Sequence, residues 1–150
     1  MKLDQLLEKK EAKQLQLLKK LLLVGGKLSL SEMALYLNIS KPSLEKYAEE
    51  LMEVLQKYQG QCQLSYEDNY LVYEMVPSFS LSQIEGDFYQ EAIKVQILVH
   101  LLEHQETAMI PLAQKLAVSE SSLFRKIKEL NGLLKEFGLE IWQGKITGEE

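Results

Sequence analysis

The sequence predicts a mainly α-helical fold with small β-hairpin wings, organised as two similar units in tandem. Three observations support this prediction. Most apolar residues recur at helical spacing, the spacing changes twice to the alternation typical of strands, and the second half of the chain repeats the first. The chain has 150 residues, of which 46% are hydrophobic, so each half has enough apolar side chains for a small core.

Two helices are predicted at the start of the first unit. Leucines at spacings of three and four indicate a helix from about residue 3 to residue 24, and Gly25–Gly26 ends it. A second helix is expected over residues 31–37. Either Ser29 or Ser31 is expected to cap this helix, because a serine hydroxyl accepts a hydrogen bond from an unpaired N–H of the first turn.

A third helix and a hairpin complete the first unit. Ser40 is the expected N-cap of this helix, Pro42 lies in its first turn, where a missing N–H costs little, and the helix runs to about Lys57. Alternating apolar residues then predict two strands, over residues 62–66 and 70–75. Three helices followed by a hairpin are typical of a winged helix-turn-helix unit.

The second unit is predicted to contain the same elements. The segment 77–80 is the expected boundary, and a helix that Gly86 breaks in its early part joins the two units. A short helix over residues 110–116, a turn and a long helix over residues 120–137 follow. A short hairpin around Gly144 forms the expected second wing.

The internal repeat supports two domains, of residues 1–76 and 77–150. An offset of 79 positions aligns residues 33–58 with residues 112–137 without a gap. The shared residues have physical reasons, since an alanine allows close helix contacts, leucines build a core and serines cap helices. The identical pairs are Ala34 with Ala113, Leu37 with Leu116, Ser40 with Ser119, Ser43 with Ser122, Leu44 with Leu123, Glu50 with Glu129, Leu51 with Leu130, and Leu55 with Leu134.

The segment 112–127, with the sequence LAQKLAVSESSLFRKI, is similar to the helix-turn-helix of many bacterial regulators, and the segment 33–47 is a weaker copy. Two such motifs, about 80 residues apart near an N-terminus, resemble the Mga family of Gram-positive transcription regulators. The resemblance covers nearly the whole chain. It implies a transcription activator that binds double-stranded DNA and works with RNA polymerase. Because family members continue into regulatory domains related to sugar-phosphotransferase control, it also implies that this chain is a fragment.

The turn between the two helices of each motif departs from the usual pattern. Many helix-turn-helix motifs carry glycine there, because one turn residue often has a positive φ. Here the corresponding residues are Asn38 and Ala117. Asparagine tolerates a positive φ and alanine does so poorly. We therefore expect a slightly different geometry in the second turn.

The expected DNA contacts lie on the second helix of each motif, which enters the major groove and touches base edges near its N-terminus. Arg125 suits a guanine edge, Lys126 and Lys128 suit phosphates, and Ser119 with the helix start suits another phosphate. The second unit is expected to dominate, because glutamates surround the cations of the first. The expected residues are Ser119, Ser121, Ser122, Arg125, Lys126 and Lys128 on the second helix, Lys145 and Thr147 on its wing, and Lys41, Ser43 and Lys46 in the first unit.

The acidic composition leaves one alternative function open. With a net charge of −5 and a pI of about 5.2, the chain also fits a winged-helix interaction or dimerisation module that does not bind DNA directly. No nucleophile motif or glycine-rich phosphate loop indicates an enzyme. His100 and His104 lie four apart, but no third ligand is evident, so no metal or cofactor is expected. Without a membrane span or signal peptide, a cytoplasmic protein is expected, and a homodimer stays open.

Overall fold

The structure, a computed structural model, describes residues 3–104, 107–142 and 144–148. Helices dominate these residues and the strands form two small antiparallel sheets, which confirms the predicted fold class. The α-helices are α1 (Lys9–Leu23), α2 (Leu30–Leu37), α3 (Lys41–Val54), α4 (Leu81–Glu91), α5 (Ile93–Glu103), α6 (Met109–Lys115) and α7 (Glu120–Leu134). The strands are β1 (Lys27–Ser29), β2 (Cys62–Glu67), β3 (Tyr70–Met75), β4 (Leu139–Trp142) and β5 (Lys145–Gly148).

Residues Lys9–Gly86 form one compact unit. Helices α1, α2 and α3 enclose a leucine-rich core in which Leu17, Leu21 and Leu44 are fully buried. The predicted hairpin of β2 and β3 is confirmed, and β1 extends it to a three-stranded sheet in the order β1-β3-β2. Strand β1 was not predicted, because three residues are too few to show an alternating pattern.

The N-terminal helix differs from the prediction at its start. Residues Leu3–Leu6 form a separate 3₁₀ turn, and α1 begins only at Lys9. The expected single helix from residue 3 to residue 24 is therefore wrong over its first turns. The physical reason is that Leu6 is buried in the core of the second unit, whereas α1 belongs to the first, so the chain leaves the helical path between them.

The second compact unit consists of the described parts of residues 1–8 and 87–150. Its core is formed by apolar residues of α5, α6, α7 and β4, among them Ile97, Leu123 and Ile141. Strands β4 and β5 pair antiparallel as a hairpin, as expected. In each unit, the hairpin thus follows the second helix of the helix-turn-helix, which is α3 in the first unit and α7 in the second.

The expected helix break at Gly86 is wrong. Helix α4 continues through this glycine, and the helical path is interrupted at Ala92, which has an extended conformation with φ −64° and ψ 131°. A lone glycine costs only about 1 kcal/mol in a helix, and the nearby burial of Ile84 and Phe88 outweighs that cost. The compact units divide directly after Gly86, whereas the predicted domain boundary lies before residue 77 and stays a prediction.

Candidate nucleic-acid interface

The two helix-turn-helix turns have the same backbone geometry. Asn38 and Ala117 both adopt the left-handed conformation, with φ values of 54° and 58°. In the first turn, the N–H of Ile39 donates to the carbonyl oxygen of Ala34 at 3.1 Å. In the second, the N–H of Val118 donates to the carbonyl oxygen of Ala113 at 3.0 Å. The expected difference between the turns is therefore wrong: alanine is held at a positive φ by the same hydrogen bonds that hold asparagine.

Matching serines begin the two recognition helices, α3 and α7. The Oγ of Ser40 accepts a hydrogen bond from the N–H of Ser43 at 3.2 Å, and the Oγ of Ser119 accepts one from the N–H of Ser122 at 3.1 Å. Both predicted N-caps are thereby confirmed. The Oγ of Ser119 also lies 3.2 Å from the Oγ of Ser121. A cluster of exposed hydroxyls thus surrounds the start of α7.

One face of α7 is buried and the opposite face is exposed. The buried face carries Leu123, Ile127, Leu130 and Leu134, at spacings of four, three and four. The exposed face is defined here as the α7 surface, and it consists of Ser121, Phe124, Arg125 and Lys128. These spacings of three and four place its residues along one side of the helix, in its N-terminal half.

Arg125 and Lys128 are the cations of the α7 surface. Neither forms an ion pair with a residue in the described parts of the chain. The Nη2 of Arg125 lies 3.4 Å from the Oγ of Ser122, to which it donates a hydrogen bond, so the guanidinium is drawn toward the N-terminal turn of the helix. The guanidinium has five N–H donors, so most remain available to a base edge or a phosphate.

Lys126 lies away from the α7 surface. Its Nζ is 2.7 Å from the Oε2 of Glu8 and 3.6 Å from the Oε2 of Glu129, and its side chain is only 15% exposed. Glu129 is also 3.1 Å from the Nζ of Lys94, which is buried. Burial raises the pKa of Glu129, but the hydrogen bonds and charges of Lys94 and Lys126 outweigh it and hold that pKa below its usual value. The Lys126 ammonium is thus occupied inside the second unit.

The second wing carries the expected residues Lys145 and Thr147, and both are exposed on β5. The Oγ1 of Thr147 donates to the carbonyl oxygen of Glu140 at 3.4 Å. Asn131 of α7 holds the wing through two hydrogen bonds to the backbone of Ile141. Its Oδ1 accepts from the N–H of Ile141 at 2.7 Å, and its Nδ2 donates to the carbonyl oxygen of Ile141 at 3.2 Å. Sequence reasoning missed Asn131, although asparagine near the end of an apolar helix face was a usable signal.

The first unit presents a more acidic surface on α3. Lys41 and Lys46 are exposed, whereas Ser43 is half-buried and bonded to the N-cap. Tyr66 of the wing donates from its Oη to the carbonyl oxygen of Glu45 at 3.4 Å. Burial raises the pKa of Tyr66, and the nearby carboxylates of Glu49 and Glu45 raise it further. The wing residue therefore lies against an acidic stretch of this helix.

Phe124 is the other surface residue that sequence reasoning missed. Its side chain is 55% exposed, although it lies beside buried Leu123. It also borders an apolar cavity of about 650 Å³ in the second unit, whose lining includes Met109, Ile127 and Ile141. An aromatic residue out of phase with the buried stripe of α7 was the available signal.

The histidine pair lies outside this surface. The rings of His100 and His104 stack with centroids 4.2 Å apart, and the Nζ of Lys115 lies 3.1 Å from the Nδ1 of His100. Across the described residues, the structure brings together no group of three or more histidine, cysteine or acidic side chains suited to a metal ion. No described helix has the length and apolar content to cross a membrane.

The repeated turns, caps and exposed helix surfaces define a helix-turn-helix protein. Residues 77–150 match the family model of the Mga helix-turn-helix domain. The resemblance inferred from the sequence is confirmed over these residues, and this half of the chain belongs to the Mga helix-turn-helix family, which is a DNA-binding regulatory family and not an enzyme family. No curated protein gives a significant match to the sequence.

Proposed function

We propose that the chain is a transcription activator that binds double-stranded promoter DNA, with α7 in the major groove and the second unit dominant. The observation that carries this proposal is the α7 surface. It places Arg125 and Lys128 one turn apart near the start of a helix, and neither cation is paired with a carboxylate of the described residues. An exposed helix N-terminus with this chemistry suits base edges and phosphates.

The proposal assigns different roles to the predicted contacts. Arg125 bonds a guanine edge through two parallel hydrogen bonds, Lys128 binds a phosphate, and Lys145 and Thr147 approach the backbone or minor groove from the wing. Ser119, Ser121 and Ser122 line the helix start, where a phosphate is favourable. Lys126 supports α7 from inside the unit, because its ammonium already lies between two carboxylates.

The first unit assists in this proposal. Lys41, Ser43 and Lys46 offer contacts, but Glu45 and Glu49 flank them, and carboxylates repel phosphates. The net charge of −5 is compatible with DNA binding, because the local charge of the contact surface decides the interaction. Activation and contact with RNA polymerase are proposed from the family, and a cytoplasmic location follows from access to promoter DNA.

Fluorescence anisotropy at several salt concentrations tests the proposal. The full chain is titrated against A·T-rich promoter duplexes, beside the variants Arg125→Ala and Lys128→Ala. Loss of Lys128 should reduce the slope of log affinity against log salt by about 0.9, since one phosphate contact is lost. Loss of Arg125 should weaken specific binding by roughly 5- to 150-fold, which is the factor for about 1–3 kcal/mol, and relax the preference at one base pair.

A charge-matched control separates local contacts from overall charge. Lys9→Ala removes one exposed cation outside the helix-turn-helix motifs, and it should leave the affinity and the salt slope nearly unchanged. Equal effects of Lys9→Ala and Lys128→Ala would argue against the α7 surface. If the wild type binds no duplex at low salt, the chain is instead an interaction or dimerisation module, an alternative that the acidic surface of α3 favours for the first unit.

A further inference from the structure

The α7 surface contains one apolar side chain among polar ones. Phe124 lies next to Arg125 and one turn before Lys128, and 55% of it is exposed. The neighbouring large apolar residues of α7, Leu123 and Ile127, are instead buried in the core of the second unit. More than half of Phe124 is exposed, so apolar surface of the ring is available to contact an apolar group of a partner.

The described residues cover less than half of the Phe124 side chain. Phe124 borders the cavity of about 650 Å³, so part of its surface faces open space instead of packed side chains. The flanking cations fix what kind of partner approaches it. Because Arg125 and Lys128 suit an anionic partner, a molecule that binds this surface has to carry both negative charges and a nearby apolar group.

We propose that Phe124 contacts the C5-methyl group of a thymine in the major groove and makes the second unit select an A·T pair at that position. The inference rests on the proposed function. The thymine methyl is the apolar group that base pairs present in the major groove, and phenylalanine is among the side chains that contact it. The preference belongs to the second unit, because the aligned residue of the first unit is Glu45, whose carboxylate has no affinity for a methyl group.

Replacement of thymine by deoxyuridine tests this contact, because it removes the methyl group and keeps the hydrogen-bonding edge. The duplex is the sequence that the full wild-type chain selects from a random pool, prepared once with thymine and once with deoxyuridine. For the wild type, we expect about fourfold weaker binding per contacted methyl, the factor for roughly 0.8 kcal/mol per buried apolar carbon. Phe124→Ala should bind the two duplexes with equal affinity.

Two controls make the comparison specific. Leu102→Ala removes a leucine of α5 that is 76% exposed and lies outside α7, and it should keep the wild-type ratio between the duplexes. Because Phe124 is mostly exposed, its alanine variant should fold, and a thermal unfolding curve checks this. The affinity ratio between the two duplexes is also compared between the wild type and Phe124→Ala, so that any effect of deoxyuridine on DNA shape, which is common to both proteins, cancels.

Each result decides the inference. A ratio near one for the wild type, with tight DNA binding retained, overturns the methyl contact and leaves the proposed function standing. A ratio that persists in Phe124→Ala also overturns it, because another group then reads the methyl. Absence of all DNA binding by the wild type overturns the proposed function and this inference with it.

Discussion

The left-handed alanine of the second turn offers a direct test of how the repeat is built. Ala117 has a φ of 58° and its side chain is exposed, so replacement by glycine removes only the Cβ and no packing. A left-handed conformation costs an L-residue roughly 1–2 kcal/mol, whereas glycine adopts it without penalty. We expect Ala117→Gly to stabilise the second unit.

The magnitude follows from two opposing terms. Relief of the strained φ gains about 1–2 kcal/mol, and the greater freedom of glycine in the unfolded chain costs about 0.4–1 kcal/mol. The central values of the two terms, about 1.5 and about 0.7 kcal/mol, give an expected net gain of about 0.8 kcal/mol. For a unit of this size, residues 1–8 and 87–150, 1 kcal/mol moves the Tm by roughly 4–8 °C, so the expected increase is measurable.

The assay follows the fluorescence of the only tryptophan of the sequence, Trp142, which belongs to the second unit by its position in the chain. Asn38→Ala is the matched control, because it installs alanine at the equivalent left-handed position of the first unit. That variant should destabilise the first unit by about 1 kcal/mol, measured by circular dichroism. An unchanged or lower tryptophan midpoint in Ala117→Gly would refute the argument that the turn stores strain.

Three further predictions concern α7 and its support. Asn131→Ala should destabilise the second unit by about 1–3 kcal/mol in urea unfolding, because the N–H and carbonyl of Ile141 lose their partner, and an unchanged stability would contradict this expectation. Gly132→Ala, at an exposed position of α7, should stabilise the unit by about 0.5–1 kcal/mol in the same assay, because alanine is the better helix former. The depressed pKa of Glu129 contributes stability above pH 4.5, and this is lost as the pH falls through its folded-state value. Glu129→Gln should therefore show a weaker pH dependence of unfolding below pH 4.5 than the wild type, and identical profiles would argue against the pairing with Lys94.

Periodicity and capping residues were sufficient to predict most of the fold. Ser40 and Ser119 cap α3 and α7 as expected, because a cap joins residues only three positions apart in the chain. The features that were missed depend on tertiary contacts. Leu6 leaves the helical path to reach the second core, and α4 passes through Gly86 because its neighbours are buried.

The candidate site was predictable in position but only partly in composition. The spacing of Arg125 and Lys128 from the N-cap was enough to expect them on one exposed face. The sequence could not indicate that the intervening Lys126 points to Glu8, because that carboxylate lies more than a hundred residues earlier in the chain. Phe124 was passed over because an aromatic residue beside a buried leucine is more often part of a core.

The repeat separates what the fold requires from what the surface is used for. Residues that build the core and cap the helices recur at the offset of 79. Glu50 and Glu129 also recur, and each pairs with a lysine of an earlier helix, at 3.2 Å and 3.1 Å. The exposed positions are less uniform: Arg125 corresponds to another cation, Lys46, whereas Lys128 corresponds to Glu49 and Phe124 to Glu45. Because Glu49 and Lys128 are both exposed on their helices, packing of the core does not require this difference in charge. The proposed dominance of the second unit in DNA binding predicts a difference of this kind, since a carboxylate at the position of Lys128 would repel a phosphate.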